Sequence, residues 1–484
     1  MRTDASDVGQ GVIGAIKRRD FLKAGLGLAA IPGVALGGGT AGLKIGIISD
    51  NHMHLSRRKN WPVERLRLVL SYLDAAGVDV VVNAGDLADT GQVSELRKVA
   101  EIWDECFPGG RGCDGRPVER FFVTGNHDML QTSASLPEEI RQARLKEAFV
   151  KDPAHYWQEI FGEPWEPIRV RTIKGYDFVG VHFGHEAEIE RWFAANGDRL
   201  KGKRPFFFVQ HFHPKGTCFQ DGAAADKGVS TRVLADYPNC FAISGHSHRP
   251  LADERAIWQG TFTSMGAGAL ASMLWPHRCE NSYLPVSMRS KINLHMPVHS
   301  SRGAYNGSVM TVSEDALRIE RRDFAAGEKV GPDWILPLPL ATNPAKPFVF
   351  AEKGSAPYFG KRAKVKVEEV EGKDRQERPE TQIVVTVPPA WAPNPYSRTI
   401  FYNAKAIDAE TGKPLAKKRA MADGFHLPFE RTRKHPGKVV FPKSAFKSGA
   451  KVKFEVSAEN AAGMKCAPLV SEPHEITSGK GSGS

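Results

Sequence analysis

Apolar residues recur along the chain with two different periods, and the period changes once. Leu43 to Ile48 is a continuous apolar run of strand length. Between Pro62 and Ala76, Leu66, Leu70 and Leu73 return every third or fourth position, the repeat of one helix face, and Gly77 stops the run. Val78–Val82 predicts a second buried strand. Val93, Leu96, Ala100, Trp103 and Phe107 predict a second helix, and Arg120–Thr124 a third strand. Further strands are expected at Tyr176–Val181, Pro205–Gln210 and Cys240–Ser244, and an edge hairpin at Ser308–Val312 and Ala316–Arg321. Strands alternating with helices predict an α/β layered domain.

Near Asp333 the helical period disappears. Pro337, Pro339, Pro344 and Pro347 mark a linker. Beyond it Ala363–Val370, Gln382–Val387, Thr399–Ala406, Val439–Phe441 and Val452–Ala458 alternate with a period of two, the pattern of a β-sandwich. The expected organisation is an α/β domain over 42–335, a Pro-rich linker over 336–360, an all-β sandwich over 361–477 and a flexible tail over 478–484.

The 484 residues are 41% hydrophobic and 25% charged, which excludes disorder throughout, collagen and a coiled-coil rod. Six cysteines are too few for a disulfide scaffold. Cys106 and Cys113, flanking a Pro-Gly-Gly-Arg-Gly loop, are a candidate pair. The net charge of +11 admits an acidic partner. Its distribution is uneven: 42–344 holds 36 Lys and Arg against 37 Asp and Glu, whereas 345–484 holds 25 against 15. The basic balance therefore belongs to the C-terminal part. Contact of that part with an anionic envelope polymer is one expectation, a merely solvated surface the other. No nucleic acid is expected.

Arg18-Arg19-Asp20-Phe21-Leu22-Lys23 precedes an apolar, Gly- and Ala-rich stretch reaching Ala41. These residues resemble a twin-arginine export signal, with Lys17 where Ser or Thr is usual. Pro32 and Gly37-Gly38-Gly39 oppose a stable helix there. A signal over 1–41, cleaved after Ala35 or Ala41, implies a periplasmic or extracellular protein. No other run has the roughly 18 apolar residues of a membrane span, so the mature protein is expected to be soluble.

Candidate chemistry gathers where strands end. The first strand delivers Asp50 and His52, and the second Gly85-Asp86 followed by Asp89. The third delivers Gly125-Asn126-His127-Asp128. Two later strands deliver His211-Phe212-His213 and Gly245-His246-Ser247-His248. Ligands in open α/β sheets bind beyond the carboxyl ends of strands, so these clusters can converge. Asp, Asn and His suit Mn, Fe or Zn, and seven such groups exceed the needs of one ion. Glycines at 85, 125 and 245 are expected to allow tight turns that aim the ligands inward.

In this order the five motifs resemble those of the calcineurin-like metallophosphoesterases, over about Leu43 to Arg322. The resemblance implies a four-layer α/β/β/α sandwich and two divalent ions. It implies Asp50, His52 and His248 on one ion, Asn126, His211 and His246 on the other, and Asp86 bridging. It also implies hydrolysis of phosphate mono- or diesters by a hydroxide between the ions, with His127 facing the phosphate and protonating the leaving group. The substrate would be a small phosphoester or an envelope phosphodiester. The alternative is a surface binding protein on an inactive fold of this type.

Asp128 is expected to orient His127 or a ligand, with an ordinary turn cap as the other reading. His213 competes with His211, and His54 with His52. His182, His185, Arg57, Arg58 and Arg249 adjoin the motifs and are candidates for the substrate side. Purple acid phosphatases carry a ligand Tyr three residues after the bridging Asp, where this chain has Asp89, so a ferric phenolate is not expected. In the C-terminal part, Val452–Asn460 followed by Gly463 resembles a late strand of a fibronectin type III domain, with Val452 where a corner Tyr is common. Packing or adhesion, not a second active site, is the role this implies.

Overall fold

The computed structural model describes residues 42–55, 61–129, 138–220, 225–271, 305–374, 378–432 and 434–477. The expected signal over 1–41, Arg57, Arg58 and the tail lie outside the described residues.

The first strands are β1 (Leu43–Ile48), β2 (Val80–Asn83) and β3 (Glu119–Phe122). They are followed by β4 (Ile168–Ile173), β5 (Tyr176–Val181), β6 (Phe206–Val209), β7 (Cys240–Ser244), β8 (Ile257–Gln259) and β9 (Thr263–Gly266). Next come β10 (Asn306–Val312), β11 (Ala316–Asp323), β12 (Glu328–Lys329) and β13 (Trp334–Pro337). Two mixed sheets result. One runs β12-β11-β10-β1-β2-β3, with β13 also on β11; the other runs β4-β5-β6-β7-β9-β8. β1, β2 and β3 are parallel to one another, as are β5, β6, β7 and β9, so their carboxyl ends gather within each sheet.

Side chains alternate across each strand and sort the sheets into layers. Ile45, Ile47, Val80, Val82, Phe121 and Val123 meet Phe178, Phe207, Val209, Phe241 and Ile243 in the core between the sheets. Gly180 on β5 makes this approach possible, because a Cβ there would stand 2.9 Å from Phe121 and Val123. The opposite faces carry helices. Leu66, Leu70 and Leu73 of Trp61–Ala75 and Leu96, Val99 and Trp103 of Val93–Cys106 pack with Ile48, Val81 and Phe122. Ile189 and Phe193 of Ile189–Asn196 pack with Val179, Val181, Phe206 and Phe208 of the second sheet. The expected α/β/β/α order is thus observed.

Two expectations change. The Ser308–Arg321 hairpin is no edge: β10 pairs with β1 and β11 with both β12 and β13, so the hairpin lies inside the sheet. The Pro-rich stretch is packed, because Trp334, Leu336, Leu340 and Phe350 are buried in the core between the sheets.

The C-terminal strands are β14 (Lys366–Lys373), β15 (Pro379–Val387), β16 (Thr399–Asp408), β17 (Pro414–Met421), β18 (Gly437–Pro442), β19 (Lys451–Asn460), β20 (Leu469–Val470) and β21 (His474–Glu475). They form antiparallel sheets, β14-β15-β18 and β17-β16-β19-β20 with β21 on β19. Val452, Phe454, Val456 and Ala458 all face the core between them. Asn460 does begin a turn, its Oδ1 accepting from the amides of Ala462 and Met464 at 3.0 Å. Cys106 and Cys113 are not bridged; Cys106 is buried and Cys113 exposed. No described helix is long and apolar enough to cross a membrane.

Candidate metal centre

The loops leaving β1, β2, β3, β6 and β7 converge at one end of the two sheets. Their backbone is strained there. Asp50, His52, Asp86, His246 and His248 all have φ between 45° and 63°; among the other described residues only Lys174 and Phe219 are non-glycine with positive φ. Each such residue costs on the order of 1–3 kcal/mol, and strain of this kind clusters at functional sites. The expected role of the three glycines needs refining. Gly85 has φ 102°, a true conformational requirement. Gly125 and Gly245 are needed for close approach: a Cβ at Gly125 would stand 2.2 Å from Asp86 Oδ1, and one at Gly245 2.0 Å from Ser49 Oγ.

Asp50, His52, Asp86 and His248 come together in one cluster, and Asp86, His211 and His246 in a second. Asp50 Oδ1 lies 3.0 Å from His248 Nε2, and His248 Nε2 lies 3.1 Å from His52 Nε2. Asp86 joins the clusters through one oxygen, its Oδ2 lying 3.5 Å from His52 Nε2 and 3.2 Å from His211 Nε2. Its Oδ1 is occupied elsewhere, accepting the His127 amide at 2.8 Å. Asn126 Oδ1 lies 3.0 Å from His211 Nε2, on the His211 side.

Hydrogen bonds behind the rings aim them. His211 Nδ1 donates to the Ala84 carbonyl at 2.8 Å, so Nε2 is the ring nitrogen directed at Asp86. His127 Nδ1 donates to the Asp89 carbonyl at 2.7 Å, which leaves its Nε2 uncommitted. The His246 amide donates to both oxygens of Asp50 at 3.1 Å, and its ring lies against Phe212, with centroids 4.0 Å apart.

Charge in the cluster is balanced by protons. Burial disfavours the charged forms, yet the Asp89 hydrogen bond and the charge of Asp86 hold His52 up at about 9. Asp86 does the same for His211, also at about 9, against burial. Burial opposes ionisation of Asp50 and Asp86 as well, but neighbouring histidines pull both carboxyls below the usual range. Burial, with the charge on His211, pushes His246 down to about 3. Buried carboxylates whose charge is offset only by imidazolium protons are sites where a divalent ion can replace those protons. The oxygen and nitrogen donors, and the shared Asp86, fit a pair of such ions.

Other expected residues fall differently. Asp128 does not hold His127. Its buried carboxylate accepts from the amides of Gly125 at 2.7 Å, Ala88 at 2.7 Å and Leu87 at 3.2 Å, tying the loop after β3 to the loop after β2. Three short backbone donors outcompete a ring already satisfied by Asp89. Burial, then the charge of Asp86, raises the Asp128 pKa in spite of these donors. His213 turns away from the cluster to Ser247 Oγ at 2.8 Å, and His54 reaches only the His52 carbonyl at 3.3 Å. His182 is a core residue, stacked on Trp165 at 4.0 Å and accepting from the Thr124 amide at 3.1 Å. His185 pairs with Glu188 at 2.9 Å in its own turn, and Arg249 is buried.

Asp89 is the residue whose part sequence reasoning missed. Its Oδ1 lies 3.0 Å from His52 Nδ1 and 3.9 Å from His127 Nδ1. The signal was its place three residues after Asp86, noted only for the tyrosine it lacks.

No curated protein matches the chain. Among solved structures, a dimetal phosphatase from Danio rerio is 12% identical, covering 61% of this chain and 99% of its own, with a TM-score of 0.33. A purple acid phosphatase from yellow lupin is 13% identical, covering 62% of this chain and 54% of its own, with a TM-score of 0.39. A predicted phosphoesterase from Streptococcus pneumoniae is 14% identical, covering 62% and 99%, with a TM-score of 0.27. The family model of calcineurin-like phosphoesterases matches residues 43–250, the stretch that carries all five motifs, and this part of the chain is a calcineurin-like metallophosphoesterase domain.

Proposed function

We propose that the protein is an exported phosphoesterase using two divalent ions, Mn, Fe or Zn, to hydrolyse phosphate mono- or diesters. Asp50, His52 and His248 would hold one ion and Asn126, His211 and His246 the other, with Asp86 common to both. Such ions supply Lewis-acid charge that activates water and neutralises phosphoryl oxygens. The observation that carries the reading is Asp86 Oδ2, placed within 3.5 Å of a histidine nitrogen on each side.

The chain's own groups account for the rest. The Asp89 carbonyl fixes the His127 ring by its Nδ1–H and leaves Nε2 to face a leaving group. Burial and the nearby His52 charge lower the His127 pKa, so its imidazolium releases a proton readily to a departing alcohol. Asp128 holds the loops that carry Asp86 and His127 in register. The signal-like residues up to Ala41 support export to the periplasm or beyond.

The metal-stripped protein should hydrolyse neither p-nitrophenyl phosphate nor bis-p-nitrophenyl phosphate, and Mn²⁺ should restore cleavage of at least one. Asp86→Asn should lower kcat/KM on that substrate by about 100-fold or more while reducing bound metal. Full activity and metal content in that variant would exclude the site. Retention of a reporter fused behind residues 1–41, on changing Arg18-Arg19 to lysines, tests export separately.

A further inference from the structure

Two large aromatic side chains stand half-exposed side by side in the C-terminal part. Tyr358 is 50% exposed and Trp391 46%. Their backbones form an isolated antiparallel bridge. The Tyr358 amide donates to the Trp391 carbonyl at 2.9 Å, and the Trp391 amide to the Tyr358 carbonyl at 2.7 Å. Residues that exchange both bonds have Cα atoms about 5.5 Å apart and project their side chains to the same face. The neighbours Phe359 and Ala390 pack on the buried core of the C-terminal sheets, which anchors the pair and directs its rings outward. Both side chains keep about half of their surface exposed, and exposed apolar surface of this kind marks contact sites.

The chain leaving Tyr358 turns at once, with the Ala363 amide donating to the Gly360 carbonyl at 2.9 Å. That turn carries exposed Lys361 and Arg362, and Lys364 follows it. Lys366 is paired with Glu368, whereas Lys361, Arg362 and Lys364 form no ion pair among the described residues. Two half-exposed aromatic side chains on one face, followed along the chain by cations that no acid among the described residues neutralises, match a polymer with both sugar faces and negative charge.

We infer that Tyr358 and Trp391, with Lys361, Arg362 and Lys364, form a docking surface for an anionic polysaccharide. The rings stack on sugar faces, and the cations pair with the carboxylate, sulfate or phosphate groups the polymer bears. The choice of a polysaccharide over single-stranded nucleic acid, which also stacks on aromatic residues beside cations, rests on the export proposed above; the surface itself does not depend on phosphoester hydrolysis.

The test uses the full chain and three probes: dextran sulfate, neutral dextran and an oligothymidylate of matched charge. Dextran sulfate should bind, more than tenfold tighter than either of the others. Tyr358→Ala/Trp391→Ala should weaken it at least tenfold, and Lys361→Gln/Arg362→Gln/Lys364→Gln should weaken it and flatten its salt dependence. Hydrolysis of a small phosphoester, or the thermal midpoint should no hydrolysis be found, should match the parent in both variants and so certify their folding. Unchanged dextran sulfate binding in the aromatic variant would overturn the inference, as would oligothymidylate binding equal to or tighter than dextran sulfate. In the latter case the surface is one for nucleic acid.

Discussion

His52 Nδ1 lies 3.0 Å from Asp89 Oδ1, so a carboxylate outside the group of Asp50, Asp86 and His248 fixes the ring of a histidine inside it. With Nδ1 carrying the proton, His52 Nε2 points at Asp86 and His248. Partners of this kind typically change metal affinity 10–100-fold. Asp89→Ala should therefore weaken Mn²⁺ binding by about tenfold or more at one of two sites, read by competition with a chelating dye. The backbone contact from the Asp89 carbonyl to His127 survives the substitution. The acidic limb of the rate profile at saturating metal should consequently move little. Equal loss at both sites would mean general unfolding instead.

Gly125 tests the close packing of the two loops. A methyl group there would overlap Asp86 Oδ1 at 2.2 Å, which the His127 amide holds in place, and the Asp86 backbone amide at 2.5 Å. Gly125→Ala should displace the shared carboxylate, reducing activity about 100-fold and bound metal to one equivalent or less. Elemental analysis of the purified variant reads the second figure directly.

The histidine protons predict a pH dependence with a definite sign. His52 and His211 hold protons up to about 9 in the metal-free protein, above the ordinary 6.5 of an unfolded chain. Groups bound more tightly in the folded state stabilise it fully below 6.5, and that stabilisation is lost as pH rises through about 9. Divalent ions need the same nitrogens unprotonated. Between about pH 7 and 9.5 the metal-free protein should lose about 5 °C in melting temperature, a few kcal/mol at this size. Over the same interval Mn²⁺ affinity should rise and the loaded protein should hold its midpoint. Calorimetric titration in two buffers of different ionisation enthalpy would show the released protons.

Strands that end in chemistry were legible because β1, β2, β6 and β7 are buried on both faces and read as apolar runs, and β3 ends in the buried pair Phe121-Phe122. Others were hidden by polar residues that fold inward. β4 carries Arg169, buried with its guanidinium over Phe121 and paired with Glu163, which breaks the apolar run. β9 is fully buried although its sequence is Thr-Ser-Met-Gly. The proline cluster looked like a tether, yet Trp334 and Phe350 on either side of it fill the core. At the centre, motif spacing pointed to the donors, whereas the choice of His211 over His213 depends on which ring the β6 turn directs at Asp86. The sequence already favoured His211, whereas the turning of Asp128 toward amides is a three-dimensional fact without a linear trace.

Arg398 links the C-terminal sheets to the metallophosphoesterase domain. It is buried at the start of β16 and donates to the carbonyls of Phe425, Leu427 and Val330, the last lying between β12 and β13. Burial, with the charge on Arg321, lowers its pKa to about 9. Arg321 in turn pairs with Glu254 at 3.0 Å and donates to the Leu251 carbonyl at 2.8 Å, three residues beyond His248. Hydrogen bonds to a charged group are worth about 1.5–3 kcal/mol each, against the cost of keeping that charge buried. Arg398→Met should therefore destabilise the protein by about 3 kcal/mol, through three carbonyls left without a donor. The parent should unfold in one calorimetric transition, and the variant should separate an earlier one belonging to the C-terminal sheets. A single transition displaced as a whole would show that Val330 is held by other contacts and that Arg398 serves only its own sheets.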